Sequence, residues 1–264
     1  ETGVAVLELS TGRLDVQLCP PARLLDEIVR SDAAEILLPE PDSAGRHPLA
    51  GELQARTSAA LTYRGATDFS AERAAQILRE HFGTASLEGF GFERVDASLQ
   101  AAAGLLAYVR ETQKGAAAHL RPPRRQDADE FMVLDPVTLR SLEVERTLRT
   151  GSRDGTLLAA VDRTSNPMGA RLLRNWLCYP LRDAGAIRRR QRLVGVLREQ
   201  PATRAHLRRA LHEIGDVDRI LGRLGVKRVT PRDLRALGAG LLRLTEVRDL
   251  LRSLHADECD ALAA

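Results

Sequence analysis

Cysteine is scarce in this chain. The three present, Cys19, Cys178 and Cys259, are far apart and form no CxxC pair, so neither a disulfide framework nor a zinc site is supported. Without a framework of disulfides, a reduced cytoplasmic protein is expected. No apolar run approaches the roughly 20 residues of a membrane span, and no signal-peptide pattern opens the chain. Phosphate loops of the GxxxxGK[ST] or GxGxxG kind are missing. The six histidines show no HxxxH or HExxH spacing. His206 and His212 lie six apart on one predicted helix and read as solvated surface. Lysine is nearly absent as well, with only Lys114 and Lys227. Nucleotide-binding, zinc-dependent and membrane-spanning classes therefore have no foothold in the pattern.

What is present divides the chain in two. From Glu1 to Glu130 there are 14 Arg/Lys against 20 Asp/Glu, a balance of −6, whereas Phe131 to Ala264 has 25 against 16, a balance of +9. A step of this size implies two regions with different surroundings. The first half alternates strands and helices. Val4 to Leu9 and Leu14 to Leu18 are strands joined at Ser10-Thr11-Gly12, and a helix follows Pro20-Pro21 with Leu24, Leu25, Ile28 and Val29 on one face. Glu35 to Leu38 is a short strand ended by Pro39, and Pro41 to Pro48 is a loop. Ala71 to Phe82 and Ala97 to Gln113 are amphipathic helices. This order predicts an α/β domain with a mixed sheet covered by helices. The domain boundary falls in the charged, Pro- and Gly-bearing stretch Lys114 to Glu130, giving units of 1–115 and 116–264; Ala118 to Leu120 and Phe131 to Leu134 are candidate strand-like edges of the junction.

Beyond Asp135-Pro136 the pattern is helical: Val137 to Leu148, Thr156 to Asp162, Pro167 to Leu177, Asp183 to Glu199, Ala202 to His212, Val217 to Leu224, and Pro231 to about Leu254. In the third of these, Asn166 is placed to cap and Pro167 sits at the first helical position, where a missing N–H costs nothing. Met168, Leu172, Leu173, Trp176 and Leu177 form its apolar stripe, Trp176 being assigned to the core. Gly169 beside that stripe is expected to admit a close neighbour.

Candidate chemistry is thin. Gly151-Ser-Arg-Asp-Gly155 reads as a helix-joining turn, since it lacks a lysine and follows no strand. Glu8 ends a strand, where a two-metal nuclease would keep a carboxylate, but Asp15, Glu35 and Asp68 have no spacing that forces convergence with it. The run Ile187-Arg-Arg-Arg-Gln-Arg192 shares its helix with the apolar Ile187, Val194 and Leu197 and has no aromatics nearby to stack on bases, so it reads as a solvated face.

Several short segments, in order, resemble the bacterial mismatch-repair MutS family. Leu9-Ser-Thr-Gly12, Ala34-Glu-Ile-Leu-Leu-Pro39, Phe82-Gly-Thr84, Gly89-Phe-Gly91 and Leu105 to Gln113 resemble its connector domain. Leu134-Asp135, Leu142-Glu143, Asp162-Arg-Thr164, Pro167-Met-Gly169, Pro180-Leu-Arg-Asp183, Gly215-Asp-Val-Asp-Arg219 and Pro231-Arg-Asp-Leu234 resemble its helical lever. The opening Glu1-Thr2-Gly3, without Met, fits a segment of something longer. The resemblance implies a ribonuclease-H-like connector without nuclease activity, followed by the first part of an all-α lever with some apolar helix surface left open. The family's Phe-x-Glu mismatch reader would precede residue 1, and its clamp and ATPase would follow residue 264. No catalytic, cofactor or metal residue is carried onto this chain. ATP and Mg are implied only for the parent protein, as are mismatched double-stranded DNA, the repair partner MutL and a homodimer. The role implied is a non-enzymatic relay between DNA state and nucleotide state; the competing class is a divalent-metal nuclease on the N-terminal fold. Because the connector is implied to help dock MutL, the outward face of the helix Ala71 to Phe82, with Glu72, Gln76, Arg79 and Glu80, is the candidate docking site; Ala71, Ala74, Leu78 and Phe82 face inward.

Overall fold

A computed structural model of the chain describes residues 1–41, 47–112, 118–126, 130–132, 134–225 and 227–263. It forms two compact units, Glu1–Ala128 with Gly222–Lys227, and Asp129–Leu221 with Arg228–Ala264.

In the first unit, β1 (Thr2–Glu8) and β2 (Arg13–Cys19) pair antiparallel from Thr2↔Cys19 to Glu8↔Arg13. The turn between them needs Gly12. Its φ is +71°, and a Cβ there would strike the carbonyl of His119. Helix α1 (Pro21–Arg30) starts with Pro at its first position and buries Leu24. Next, β3 (Glu35–Pro39), α2 (Ala50–Arg56) and β4 (Ala60–Arg64) form a crossover in which β3 and β4 run parallel. Ile36 and Leu38 of β3 close on Leu53 of α2.

Ser70 caps α3 (Ala71–Phe82), and Gly83 ends it in the left-handed region at φ 62°. Helix α4 (Ala97–Thr112) is the centre of the unit. Its Leu99, Ala102, Ala103, Leu106 and Val109 bury against Leu14 and Val16 of β2 and against Ala74, Ile77 and Leu78 of α3. Two glycines permit this packing. At Gly3 a Cβ would overlap the carbonyl of Ala97, and at Gly104 it would overlap the ring of Phe69. The strand β5 (Arg124–Arg125) adds to β2 in parallel.

The expected mixed sheet is therefore present in reduced form. Among the described residues β1, β2 and β5 make one mixed sheet, while β3 and β4 form a separate pair. Three elements lay outside the sequence pattern. Helix α2 presents one fully buried leucine and no stripe, β4 makes sense only beside β3, and β5 is two exposed arginines held by backbone pairing. Ala71, assigned to the inner stripe of α3, is exposed, and Ile77 takes an inner position instead. Residues 42–46 of the expected loop and Gln113 lie outside the described residues, and 118–119 form a turn rather than a strand edge.

The second unit is built of helices: α5 (Pro136–Ser141), α6 (Leu157–Val161), α7 (Pro167–Cys178), α8 (Ala184–Glu199), α9 (Pro201–Glu213), α10 (Val217–Gly225, whose last turn belongs to the first unit), α11 (Pro231–Arg252) and α12 (Asp257–Ala263). Side chains of Asp135, Thr156, Asn166, Asp183 and Thr230 cap five of them, each accepting the third helical amide. Its main core joins Leu207 to Leu251, Leu254, Cys259 and Ala263, with Leu193, Val196 and Leu197 alongside.

Two expectations change here. Helix α5 stops at Ser141 rather than reaching Leu148, because Glu143 takes a left-handed φ of 46° and the chain folds back, its Val144 amide bonding the Leu139 carbonyl. Helix α12, which buries Cys259 and Ala263, lies beyond the last helix the sequence pattern predicts. Phe131 makes a single antiparallel bridge to Leu181, as close as this unit comes to a strand among the described residues. Apolar surface does remain open, including Leu172 on α7, Val194 on α8 and Leu242 on α11. Among the described residues no helix is long and apolar enough to cross a membrane.

Candidate docking face

Helix α3 turns Ala74, Ile77 and Leu78 into the core, and this fixes what faces out. Glu72, Gln76, Arg79 and Glu80 are all exposed. They are not independent groups. The Gln76 side-chain amide donates to the Glu80 carboxylate at 2.8 Å, an (i, i+4) bond, and Arg110 of α4 stands 3.9 Å from the same carboxylate. Glu72 lies in the first helical turn, where a negative charge suits the helix dipole. The face thus offers a cation, Arg79, between two acids. It contains no group poised for bond making.

The carboxylates considered for metal chemistry are each engaged elsewhere. Glu8 accepts from the Ser10 hydroxyl at 3.3 Å. Asp15 pairs with Arg13 at 2.6 Å, and burial nonetheless pushes its carboxyl above the usual value. Glu35 accepts from the Thr62 hydroxyl at 2.5 Å and the Tyr108 hydroxyl at 2.7 Å. Asp68 pairs with Arg64 at 3.0 Å and with Arg73 at 3.6 Å. No group of three or more metal-ligating side chains exists among the described residues.

The glycine-rich stretch 151–155 is likewise a turn that satisfies itself. The amides of Gly151, Ser152, Asp154 and Thr156 bond to the Thr147 carbonyl, the Thr150 hydroxyl, the Ser152 hydroxyl and the Arg153 carbonyl. Those amides do not point together at a phosphate, so this loop does not fit a nucleotide.

Trp176 corrects its core assignment. It is 38% exposed, with the Arg190 guanidinium 3.8 Å above its ring. The Arg run is accordingly less free than a solvated face implies. Arg190 lies on Trp176 and Arg192 pairs with Glu258 at 2.5 Å. Val194 of the expected stripe is exposed while Leu193 and Val196 join the core. His212, expected to be solvated, is exposed, but its ring nitrogen Nδ1 is 3.1 Å from the Ser165 carbonyl. Gly169 does not serve a close approach: the nearest side-chain atoms a Cβ there would meet are those of Asn166 and Thr164, at 3.4 Å and beyond, which is ordinary contact.

Sequence reasoning missed the ties that organise α7. Arg171 grips Asp216 through two bonds of 2.7 and 2.8 Å and reaches Asp218 at 3.3 Å. Arg174 pairs with Glu145. Asn166 does double duty, its oxygen capping α7 and its nitrogen donating to the Leu211 carbonyl at 3.0 Å. The Arg171 bonds hold the Asp216 carboxyl below its usual range, outweighing the opposing effect of partial burial.

Comparison with known proteins covers both units. The family model described as MutS domain II matches residues 1–121, and that described as MutS domain III matches residues 137–264. Similar curated proteins include the DNA mismatch repair protein MutS of Symbiobacterium thermophilum, 40% identical over 97% of this chain and 29% of the relative. The protein of the same name from Synechocystis is 37% identical over 98% and 30%, and that of Chlorobaculum parvum 36% over 99% and 29%. The chain thus spans about three tenths of the length of these relatives.

Proposed function

This chain belongs to the MutS family of DNA mismatch repair proteins, matching its domains II and III, and on that premise we propose that it is a non-catalytic relay within a mismatch-repair ATPase. In this reading the N-terminal unit is a connector of ribonuclease-H-like type, and the helical unit is the first part of a lever. The two units transmit the state of mismatched double-stranded DNA to a nucleotide site supplied by the rest of a cytoplasmic, homodimeric parent, which uses ATP and Mg.

The observation that carries the reading is how the polar groups of the helical unit are spent. Carboxylates and backbone amides are committed to capping helices and tying them together, as in the Arg171–Asp216 clasp and the five capped helices. Such an arrangement suits rigid elements that move as bodies. The mixed sheet β1-β2-β5 with its covering helix α4, and the parallel pair β3–β4, support the connector assignment.

The outward face of α3 is the docking site for MutL. Glu72, Gln76, Arg79 and Glu80 are exposed and sit on a helix whose other side is locked in the core, so a partner can use them without disturbing the fold. In the full-length protein, with ATP and mismatched DNA, Gln76→Ala combined with Arg79→Glu weakens MutL capture in a pull-down or crosslinking assay. Stability changes by less than about 0.5 kcal/mol, as expected of exposed substitutions. Wild-type capture by that double variant would place the interface elsewhere.

A further inference from the structure

The loop preceding α7 is stitched to α9 by three bonds. Arg208 donates to the Arg163 carbonyl at 2.7 Å, Asn166 donates to the Leu211 carbonyl, and the His212 ring meets the Ser165 carbonyl. The stitching sets the Arg208 guanidinium against the Arg163 backbone. Arg204 stands one helical turn, about 6 Å, before Arg208 on the same flank of α9, since Leu207 and Ala210 occupy the buried side.

Arg163, Arg204 and Arg208 are exposed and form no ion pair within 4 Å among the described residues, although the Arg163 guanidinium donates one bond to the Asp162 carbonyl at 2.9 Å. Many other guanidiniums of the unit are engaged, Arg171 with Asp216, Arg174 with Glu145, Arg192 with Glu258 and Arg243 with Glu213. The acid next to Arg163, Asp162, accepts bonds from Thr164 and pairs with Arg153. It feels the charges of both Arg153 and Arg163, so one carboxylate is shared between two guanidiniums and leaves net positive charge.

We propose that Arg163, Arg204 and Arg208 form a contact site for the phosphate backbone of duplex DNA on the helical unit. The site rests on the mismatch-repair reading above, which places a duplex in the same assembly. A guanidinium offers five N–H donors in a fork that fits phosphate oxygens, and Arg208 spends only one bond on the Arg163 carbonyl. The strip itself holds no aromatic side chain on which a base would stack, which favours a duplex over a single strand. Its role is positioning without sequence readout.

The test uses the whole 264-residue chain and a short fluorescein-labelled homoduplex, with anisotropy followed across a salt titration. Arg163→Gln, Arg204→Gln and Arg208→Gln together are compared with an equal charge change at Arg188, Arg198 and Arg235, which are also exposed. The strip variant loses about tenfold or more in affinity at low salt, and its slope of log affinity against log salt falls by about 2–3, at roughly 0.9 per phosphate contact. The control variant keeps most of both, and circular dichroism melting shows all three proteins folded. Equal losses in the two variants would mean diffuse charge and overturn the site, as would an unchanged slope in the strip variant or no wild-type binding. Displacement of the duplex by polyglutamate at matched charge would assign the strip to an acidic protein and overturn it too. MutL capture, measured separately, tests the mismatch-repair reading, so the two failures are distinguishable.

Discussion

At the scale of single residues, glycines show how close approach differs from a merely permissive position. Gly104 lies on the buried side of α4 with the Phe69 ring where its side chain would go, whereas Gly169 has ordinary space around its missing Cβ. Gly104→Ala therefore forces the ring aside, and overpacking of this kind costs about 1–3 kcal/mol. Gly169→Ala relieves the helical penalty of glycine and is neutral or stabilising by up to about 1 kcal/mol. Urea denaturation of the two variants checks both signs. A destabilised Gly169→Ala with an unaffected Gly104→Ala would reverse the assignment. Asn166 and Arg171 have a similar economy, each joining α7 to residues more than forty positions later.

At the scale of elements, the Arg171–Asp216 clasp gives a pH-dependent prediction. The Asp216 carboxyl is held below its ordinary value of 3.8 by Arg171. A depressed acid contributes stability above the unfolded value, and that contribution is lost as pH falls through the folded one. Asp216→Asn should therefore be less stable than wild type at neutral pH, by about 1.5–3 kcal/mol for a hydrogen bond to a charged group. The gap should narrow below about pH 4, with denaturation midpoints across pH 2 to 7 as the measurement. A gap that stays constant with pH would show that Asp216 acts through shape alone.

Elements with their own punctuation were legible from the sequence. Helix α3 has Ser70 before it and Gly83 after it, and α7 has Asn166-Pro167, so their bounds follow from local chemistry. Elements that exist because of a distant partner were not. Strand β4 depends on β3, β5 on β2, and α5 ends where Val144 is drawn into the core against the helical pattern of its neighbours. The same holds for the candidate sites. The α3 face could be read from periodicity, while the strip on α9 could not, because Arg163 joins it through a contact spanning 45 positions.

At the scale of the whole molecule, the distribution of charge and of committed polar groups sets what the chain does alone. The glycine turn 151–155 uses its amides internally, so the isolated chain should not bind ATP specifically or hydrolyse it. Isothermal titration checks this, and a micromolar Kd abolished by one substitution in this chain would contradict it.

The relay itself is tested most directly by loosening it without touching either end. In the full-length protein, Arg171→Ala removes the clasp between α7 and the start of α10, a part-buried pair within the helical unit. The measurement is ATP turnover with and without mismatched DNA. The relay account predicts that mismatch binding and basal turnover stay near wild type while the response of turnover to mismatched DNA is lost. A full response in a variant shown to be folded, with its clasp gone, would contradict it.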